Sequence, residues 1–447
     1  MSLFKLGKTR LLHNKSTENI APVRVDTPDS VLILTSQHIG APAKPAVNVG
    51  ERVFVGTLIG ESGGFVSAPI HSSVSGTVKK IENYLLPNGK TTPAILIESD
   101  GENTPDESLA PVCVTTLDEL QSAARNSGLI GLGGAGFPTA VKLSPRDISQ
   151  IDTLVINGAE CEPYITSDTR TMLDSSEYLK DGIELITSVM GIKKTVIGIE
   201  SNKKQVIKHL SSVFGSNPDV SLAVLPSRYP QGAEKILIFN TTGRVVPEGK
   251  LPADVGVIVL NVTTVATLMK YIKTGMPLVE KCITVDGSAV KEPKNLIVPI
   301  GMRIGEVIEA AGGLKAEAGK ILYGGPMMGV AVYSTDAPIL KNTNAITVLD
   351  KKDANIPASS ACIHCGRCVA SCPIGLNPTI FARAIDLDDK QDMAQRLEDA
   401  KINLCMECGC CSYVCPAKRP LVEKNKLAKK ALREYAENKK GKVDVSK

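Results

Sequence analysis

Cys362-Ile-His-Cys365-Gly-Arg-Cys368-Val-Ala-Ser-Cys372-Pro373 is answered further along by Cys405-Met-Glu-Cys408-Gly-Cys-Cys411-Ser-Tyr-Val-Cys415-Pro416. Each copy reads C-x2-C-x2-C-x3-C-P, the run that holds a pair of adjacent [4Fe–4S] clusters. The first three cysteines of a copy wrap one cubane. The fourth, followed by proline, reaches across to the other. The spacing therefore assigns Cys362, Cys365, Cys368 and Cys415 to one cluster, and Cys405, Cys408, Cys411 and Cys372 to its partner. The alternative, structural zinc, pairs two C-x2-C units instead of repeating a run of four. Cys410 is a surplus cysteine inside the second run, and neither it nor His364 is expected to be a ligand.

Working outward, the chain of 447 residues is too long for one core and predicts three or four domains. Glycine and small aliphatics abound and tryptophan is absent, as in α/β cores. No apolar run approaches the ~18 residues needed to span a bilayer. The start, Met1-Ser-Leu-Phe-Lys, has no signal-peptide core, so a cytoplasmic protein is expected, with its twelve cysteines as ligands or reduced thiols. From Ala417 onward eleven Lys/Arg face four acids, so this tail carries +7 of a net +4 and the remainder carries −3. No aromatic-basic platform accompanies it, which argues against nucleic acid.

Residues 1–30 read as a polar, irregular arm. From 31 to 99 short strands alternate with turns, in two halves built on Val47-Asn-Val-Gly50 to Gly60 and on Ser67-Ala-Pro69 to Lys80. The pattern resembles a biotinyl/lipoyl-type barrel sandwich. Its carrier lysine belongs at the hairpin between the halves, where this chain has Ser62-Gly63-Gly64. The carrier function is therefore absent, leaving a structural or docking role. After a polar linker, a helical segment over 117–125 leads into Gly131-Leu-Gly133-Gly134-Ala-Gly136-Phe137-Pro138. Gly131-x-Gly133-x-x-Gly136 meets the dinucleotide pattern, but a Rossmann fingerprint follows a strand, and this one follows a helix. What survives is physical: bare backbone N–H groups suited to an anion, with Lys142 close by. Next, a strand over 152–157 ends in Asn157-Gly-Ala-Glu160-Cys161-Glu162-Pro163, and ligands of open α/β sheets bind beyond such strand ends. Helices over 178–190 and 203–214 alternate with strands over 195–199, 221–225 and 255–260, the last ending in Asn261-Val-Thr-Thr264, which predicts a largely parallel sheet. A β-grasp-like module fits 281–349. One amphipathic helix over 380–401 should join the two cysteine runs, and the tail from Leu421 is helical by pattern.

The glycine loop, the Asn157–Pro163 turn and Asn261-Val-Thr-Thr264 resemble the NADH-binding flavoprotein subunit of respiratory complex I, which carries Gly-Arg-Gly-Gly-Ala-Gly-Phe-Pro, Asn-Ala-Asp-Glu-Gly-Glu-Pro and Asn-Val-Glu-Thr. Here leucine replaces the arginine at position 132, and a twin-cluster unit replaces that family's single-cluster domain. The combination of modules is similar to the C-subunit family of the Rnf ion-translocating ferredoxin–NAD oxidoreductases. The same domain order also occurs in a flavin- and cluster-containing cobalamin reductase of bacterial microcompartments, the alternative reading. A cluster-bearing relay that no longer uses NADH is the non-enzymatic alternative.

The resemblance implies a multidomain α/β chain. It consists of an N-terminal arm (1–30), a lipoyl-like barrel sandwich (31–111), a Rossmann-like FMN/NADH domain (112–275), a β-grasp module of SLBB type (276–350), a ferredoxin-like two-[4Fe–4S] helical domain (351–420) and a basic helical tail (421–447). It implies FMN over Gly131, Gly133, Gly134, Gly136 and Phe137, with Lys142, Asn157, Asn261 and Thr264 near it. NAD(H) would stack on the flavin, with Glu160 and Glu162 orienting it. The implied partners are the other subunits of a membrane Rnf complex and, indirectly, ferredoxin, and the implied place is the cytoplasmic side of the cell membrane, peripherally held.

Overall fold

The computed structural model describes residues 9–444, so the expectation resting on Met1-Ser-Leu-Phe-Lys lies outside the described residues, as do residues 445–447. Four sheets and a helical unit follow one another along the chain. The first two sheets are antiparallel and face each other. One is ordered Ser30–Leu34, Thr91–Ser99, Gly76–Leu85, Arg52–Val53, the other Lys44–Pro45, Leu58–Glu61, Ile70–His71. Alternate side chains such as Val31, Ile33, Val53, Ile59, Ile95 and Ile97 fill the space between them, as the period of two in strands requires. At the hairpin where a carrier lysine would stand, a Cβ on Gly63 would sit 2.0 Å from the Pro42 carbonyl oxygen. The tip is packed against its own backbone and admits no side chain there.

The third sheet is parallel, ordered Val220–Leu225, Lys194–Glu200, Thr153–Gly158, Val257–Asn261, with helices on both faces. Successive strands run outward from Thr153–Gly158 in one direction, and Val257–Asn261 adds on its other side. The strand order thus reverses between these two, and Asn157 and Asn261 are direct neighbours in register at their carboxyl ends. This is the switch point where open α/β sheets bind ligands.

The fourth sheet is mixed, ordered Val23–Arg24, Lys294–Pro299, Glu280–Asp286, Ala345–Asp350, Ala318–Tyr323, Val330–Ala331, and packs on the helix Ile304–Ala310. Its edge strand comes from the segment expected to be an irregular arm. Val23 pairs with Leu296, Thr9 bridges to Tyr229, and half-buried Lys15 donates to the carbonyls of Glu160, Glu162 and Ile165 at 2.9, 2.7 and 2.5 Å. The arm is a clasp across two modules. Its polar residues are spent on backbone partners distant in sequence, which no local pattern reveals.

In the cluster unit, the single helix expected over 380–401 is two, Pro378–Ala384 and Lys390–Asp399. The first ends with Ile385 as its C-cap, and Asp389 caps the second, its carboxylate accepting from the N–H groups of Gln391 and Asp392. The tail helix Leu421–Asp444 packs Leu421, Ala428 and Leu432 into the unit's core, so the narrow apolar stripe of the tail faces protein, while Leu427 stays exposed. Among the described residues, no helix is long and apolar enough to cross a membrane.

Candidate flavin and iron–sulfur site

The glycine loop closes on itself: Ile130 bridges to Pro138, and Gly131 N–H donates to the Phe137 carbonyl at 2.8 Å. It follows the helix Leu117–Asn126 and opens the short helix Thr139–Lys142. Leu132, where the resembling family has arginine, is buried in the core, and its N–H donates to Thr264 Oγ1 at 3.0 Å. Thr264 therefore holds the loop to the helix Val262–Thr274. Gly134 has φ +128, open to glycine and rarely to other residues, and a Cβ there would meet nothing within 4 Å. Its backbone lies bare along a cavity of about 940 Å³.

That cavity collects the residues singled out in the sequence: Gly131, Gly133, Gly134, Gly136, Phe137, Lys142, Asn157, Glu160, Glu162, Asn261 and Thr264 all border it. Asn157 donates to the Gly232 carbonyl at 2.9 Å. Asn261 caps its helix through Oδ1 and donates from Nδ2 to Asp168 at 2.8 Å. Lys142 pairs with Glu234 at 2.7 Å. The two glutamates differ from expectation, because protein donors occupy both carboxylates. Glu160, 6% exposed, accepts from the Asp168 N–H and the Thr169 hydroxyl, both at 2.7 Å, and from Lys203 at 3.3 Å. Its oxygens hold the start of the helix Ser167–Asp174 rather than facing a ligand. Glu162 accepts from the N–H groups of Met327 and Met328 at 3.1 and 2.8 Å, tying this wall to the fourth sheet, and burial raises its pKa.

Two groups of the neighbourhood escape a reading of the sequence. Asp168 is raised to about 6 by burial and the nearby Glu160 charge, while Lys281, which donates to the Leu132 carbonyl at 3.3 Å, is lowered to about 8 by burial. Neither sits in a motif; the fold alone brings them together. Tyr229, Gly232 and Lys235 also border the cavity, and the phrase Tyr229-Pro-Gln-Gly232-Ala-Glu234-Lys235 was the signal that could have found them. His38, Ile39, Tyr84, Tyr323 and Tyr333, from the barrel sandwich and the fourth sheet, had no such signal. A cavity of this size suits a flavin and a second ligand. The helix Glu234–Thr242 opens beside it without a side-chain cap, the kind of end that holds a phosphate. The residues fit FMN.

In the helical unit Cys372, Cys405, Cys408 and Cys411 border one small cavity, together with Asn425 of the tail helix. Cys368 lies in the electrostatic reach of Cys415 and Cys362, and Cys365 is exposed. The crossing of the fourth cysteine between runs is thus present in the fold, and the residues fit two cubanes. Cys410 is buried against Cys161 and Tyr229 of the flavin module, so the surplus cysteine belongs to the junction. Cys405 and Cys408 border the flavin cavity as well as the cluster cavity.

Family models match four stretches. They are the RnfC barrel sandwich hybrid domain at residues 4–102, the Nuo51 FMN-binding domain at 124–270, the SLBB domain at 282–331 and the 4Fe-4S dicluster domain at 358–419. The chain is 44% identical over 360 residues to the C subunit of the Na(+)-translocating ferredoxin:NAD(+) oxidoreductase complex of Acetobacterium woodii, covering 79% of this chain and 81% of that protein. It is 42% identical to the C subunit of the proton-translocating ferredoxin:NAD(+) oxidoreductase complex of Clostridium ljungdahlii (83% and 80% covered). To the C subunit of the ion-translocating oxidoreductase complex of Rhodobacter capsulatus it is 36% identical (86% and 75% covered). Among solved structures, an NAD+-reducing [NiFe]-hydrogenase in its H2-reduced state shares the fold, with a TM-score of 0.50 and 19% identity over 69% of this chain and 61% of that one. Twin-cluster unit, FMN-binding sheet, SLBB module and barrel sandwich thus occur here in the company of relatives all named as C subunits of ion-translocating oxidoreductase complexes, and the chain belongs to the C-subunit (RnfC) family of the ion-translocating ferredoxin:NAD(+) oxidoreductase complexes, an FMN and [4Fe–4S] oxidoreductase family.

Proposed function

We propose that this chain is the NAD(H)-reactive member of a membrane-associated complex, exchanging electrons between NAD(H) and a ferredoxin branch that it reaches indirectly, through other subunits. The observation that carries the reading is the shared wall: Cys405 and Cys408 border the flavin cavity and the cluster cavity at once. When bound, FMN would turn the electron pair of one hydride into single electrons that four-iron clusters could take one at a time. The residues do the rest. The glycine loop, with Phe137, Lys142, Asn157 and Asn261, forms the flavin bed, and Thr264 keeps the loop in place through Leu132. Glu162 shapes the wall on which nicotinamide and ribose are oriented. Glu160 acts behind it as a positioning residue, through Asp168 and the first turn of the helix Ser167–Asp174. Neither needs to take a proton, since hydride transfer to a flavin requires no strong side-chain base.

Cys372, Cys405, Cys408 and Cys411 hold the inner cluster in this reading. Cys362, Cys365, Cys368 and Cys415 hold the outer one, where Cys365 is exposed and Cys362 half-exposed. The complex itself sits at the cytoplasmic side of the cell membrane, with this subunit held peripherally by protein contacts. The microcompartment cobalamin reductase is not favoured, since relatives at 36–44% identity over most of the chain are named as C subunits of the ion-translocating complexes.

The test is an anaerobic titration of the whole chain with NADH, read in the visible spectrum alongside iron analysis. Bleaching of flavin and cluster absorption, with about eight iron per chain, is expected. A protein that holds its clusters and does not bleach is a relay scaffold, and the NAD(H) reading then fails.

A further inference from the structure

The tail helix Leu421–Asp444 lies outside both cysteine runs, yet it reaches the thiols of one of them. Asn425, 1% exposed, points Nδ2 at Cys405 Sγ (3.6 Å) and Cys411 Sγ (3.9 Å), within the reach of N–H···S bonds. It borders the same small cavity as Cys372, Cys405, Cys408 and Cys411. One turn further along the same face, Lys429 donates to the Cys405 carbonyl at 2.5 Å and to Glu407 at 2.9 Å, which fixes an ammonium beside this run. Burying an asparagine amide is costly unless it is satisfied, and the Oδ1 of Asn425 has no protein partner. The side chain is thus held in place by what its Nδ2 meets.

We propose that Asn425 and Lys429 are tuning residues of the inner cluster, raising its reduction potential relative to the outer one. The inference rests on the reading that Cys372, Cys405, Cys408 and Cys411 hold a four-iron cluster. Reduction adds one electron to the cluster and breaks no bond, so the negative charge on the sulfurs grows. N–H donors and a nearby cation favour the form with more negative charge, and hydrogen bonds to cluster sulfurs are one of the levers that set its potential. The backbone N–H of Leu376 already donates to Cys372 Sγ at 3.2 Å and Cys408 meets the N–H of Cys410, so each thiol of the inner set receives a donor. The outer set differs, with Cys362 half-exposed and Cys365 exposed to water. Two clusters of identical spacing are thereby made unlike by a helix that neither motif contains.

The experiment is an EPR-monitored redox titration of the anaerobically purified full chain, unsubstituted and as Asn425→Leu and Lys429→Gln, with iron counted in each. Expected is a shift of one of the two four-iron signals to lower potential, by up to about tenfold in its reduction equilibrium (~59 mV for one electron), while the other stays put. Lys429→Gln keeps the cavity wall intact, so it decides the matter should Asn425→Leu fail to assemble its cluster. Full iron content with both signals unmoved overturns the proposal, and so does a shift of both signals together, which marks a general loosening. Fewer than eight iron in the unsubstituted chain overturns the cluster reading itself, and the tuning role with it.

Discussion

At the scale of single residues, the site rests on side chains whose partners are fixed. Gly134 holds φ +128 against an open cavity, so Gly134→Val both strains the backbone and fills flavin space. The expected outcome is apoprotein: FMN content falls severalfold on gel filtration while iron is retained. Glu162→Gln turns an acceptor of two N–H groups into a side chain that can accept only through one oxygen. Leaving a buried donor unmet costs about 1–3 kcal/mol, so a lower melting temperature and slower flavin reduction by NADH should appear together. Glu200 is fully buried, both of its oxygens lack protein partners, and burial raises its pKa to about 7. Its folded value lies above the unfolded one of about 4.3, so its contribution to stability is whole below that pH and is lost as pH rises towards 7. Relative to the native chain, Glu200→Gln should therefore gain ~3 kcal/mol between pH 5 and pH 8, read by thermal melts at both values. The cysteines of the two runs were legible because cluster chemistry dictates short, local spacing. Asp168 and Lys281 were not, because their meeting depends on the helix Ser167–Asp174 packing against the strand Glu280–Asp286.

At the scale of elements, amphipathic period and turn residues placed the expected strands and helices of the flavin module to within a residue or two, but not the helices Ser167–Asp174 and Val262–Thr274. The helix between the cysteine runs was misread because apolar spacing carries across the break at Asp386-Leu-Asp-Asp389, while the decisive feature is the cap on Asp389. The tail is the helix its pattern predicts, but what that helix packs against was not legible. Its basic charge suggests a surface, but Leu421, Val422, Asn425 and Ala428 are buried against the cluster unit. Truncation after Arg419 should therefore cost iron, about half the complement, before it affects membrane attachment. Iron analysis of the truncated chain checks this; retention of the full complement would show that the helix merely lies on a finished domain.

At the scale of the whole molecule, one lysine joins three modules. Lys341 belongs to the fourth sheet's connections and is 1% exposed. It donates to the carbonyls of Pro69 in the barrel sandwich and Gly128 before the glycine loop, at 2.5 and 2.7 Å. Burial lowers its pKa to about 7, and a neutral amine has two N–H donors for these two acceptors. Its neighbour Asn342 donates to the Gly134 carbonyl at 3.1 Å, so the junction continues into the flavin bed. Lys341→Met strands two buried carbonyls, at ~1–3 kcal/mol each, and should lower both the melting temperature and FMN retention. An unchanged melting temperature would mean that the modules are held elsewhere. The presence of four modules was legible in the sequence; their junction was not, since a lone lysine in Pro338-Ile-Leu-Lys341-Asn-Thr looks like any solvated loop.

The N-terminal clasp bears on how this chain comes to exist. Thr9, Lys15 and Thr17 are synthesised before the residues they bind, which lie at 229, at 160–165 and at 166 and 295. Val23 pairs with Leu296 across a similar stretch. During translation the segment therefore waits, unpaired, until two later modules have emerged and folded, and contacts of such long sequence separation form late. Lys15 pins the carbonyls of Glu160 and Glu162, two residues of the flavin cavity's wall, so the first described residues to be made are among the last to be fixed in place.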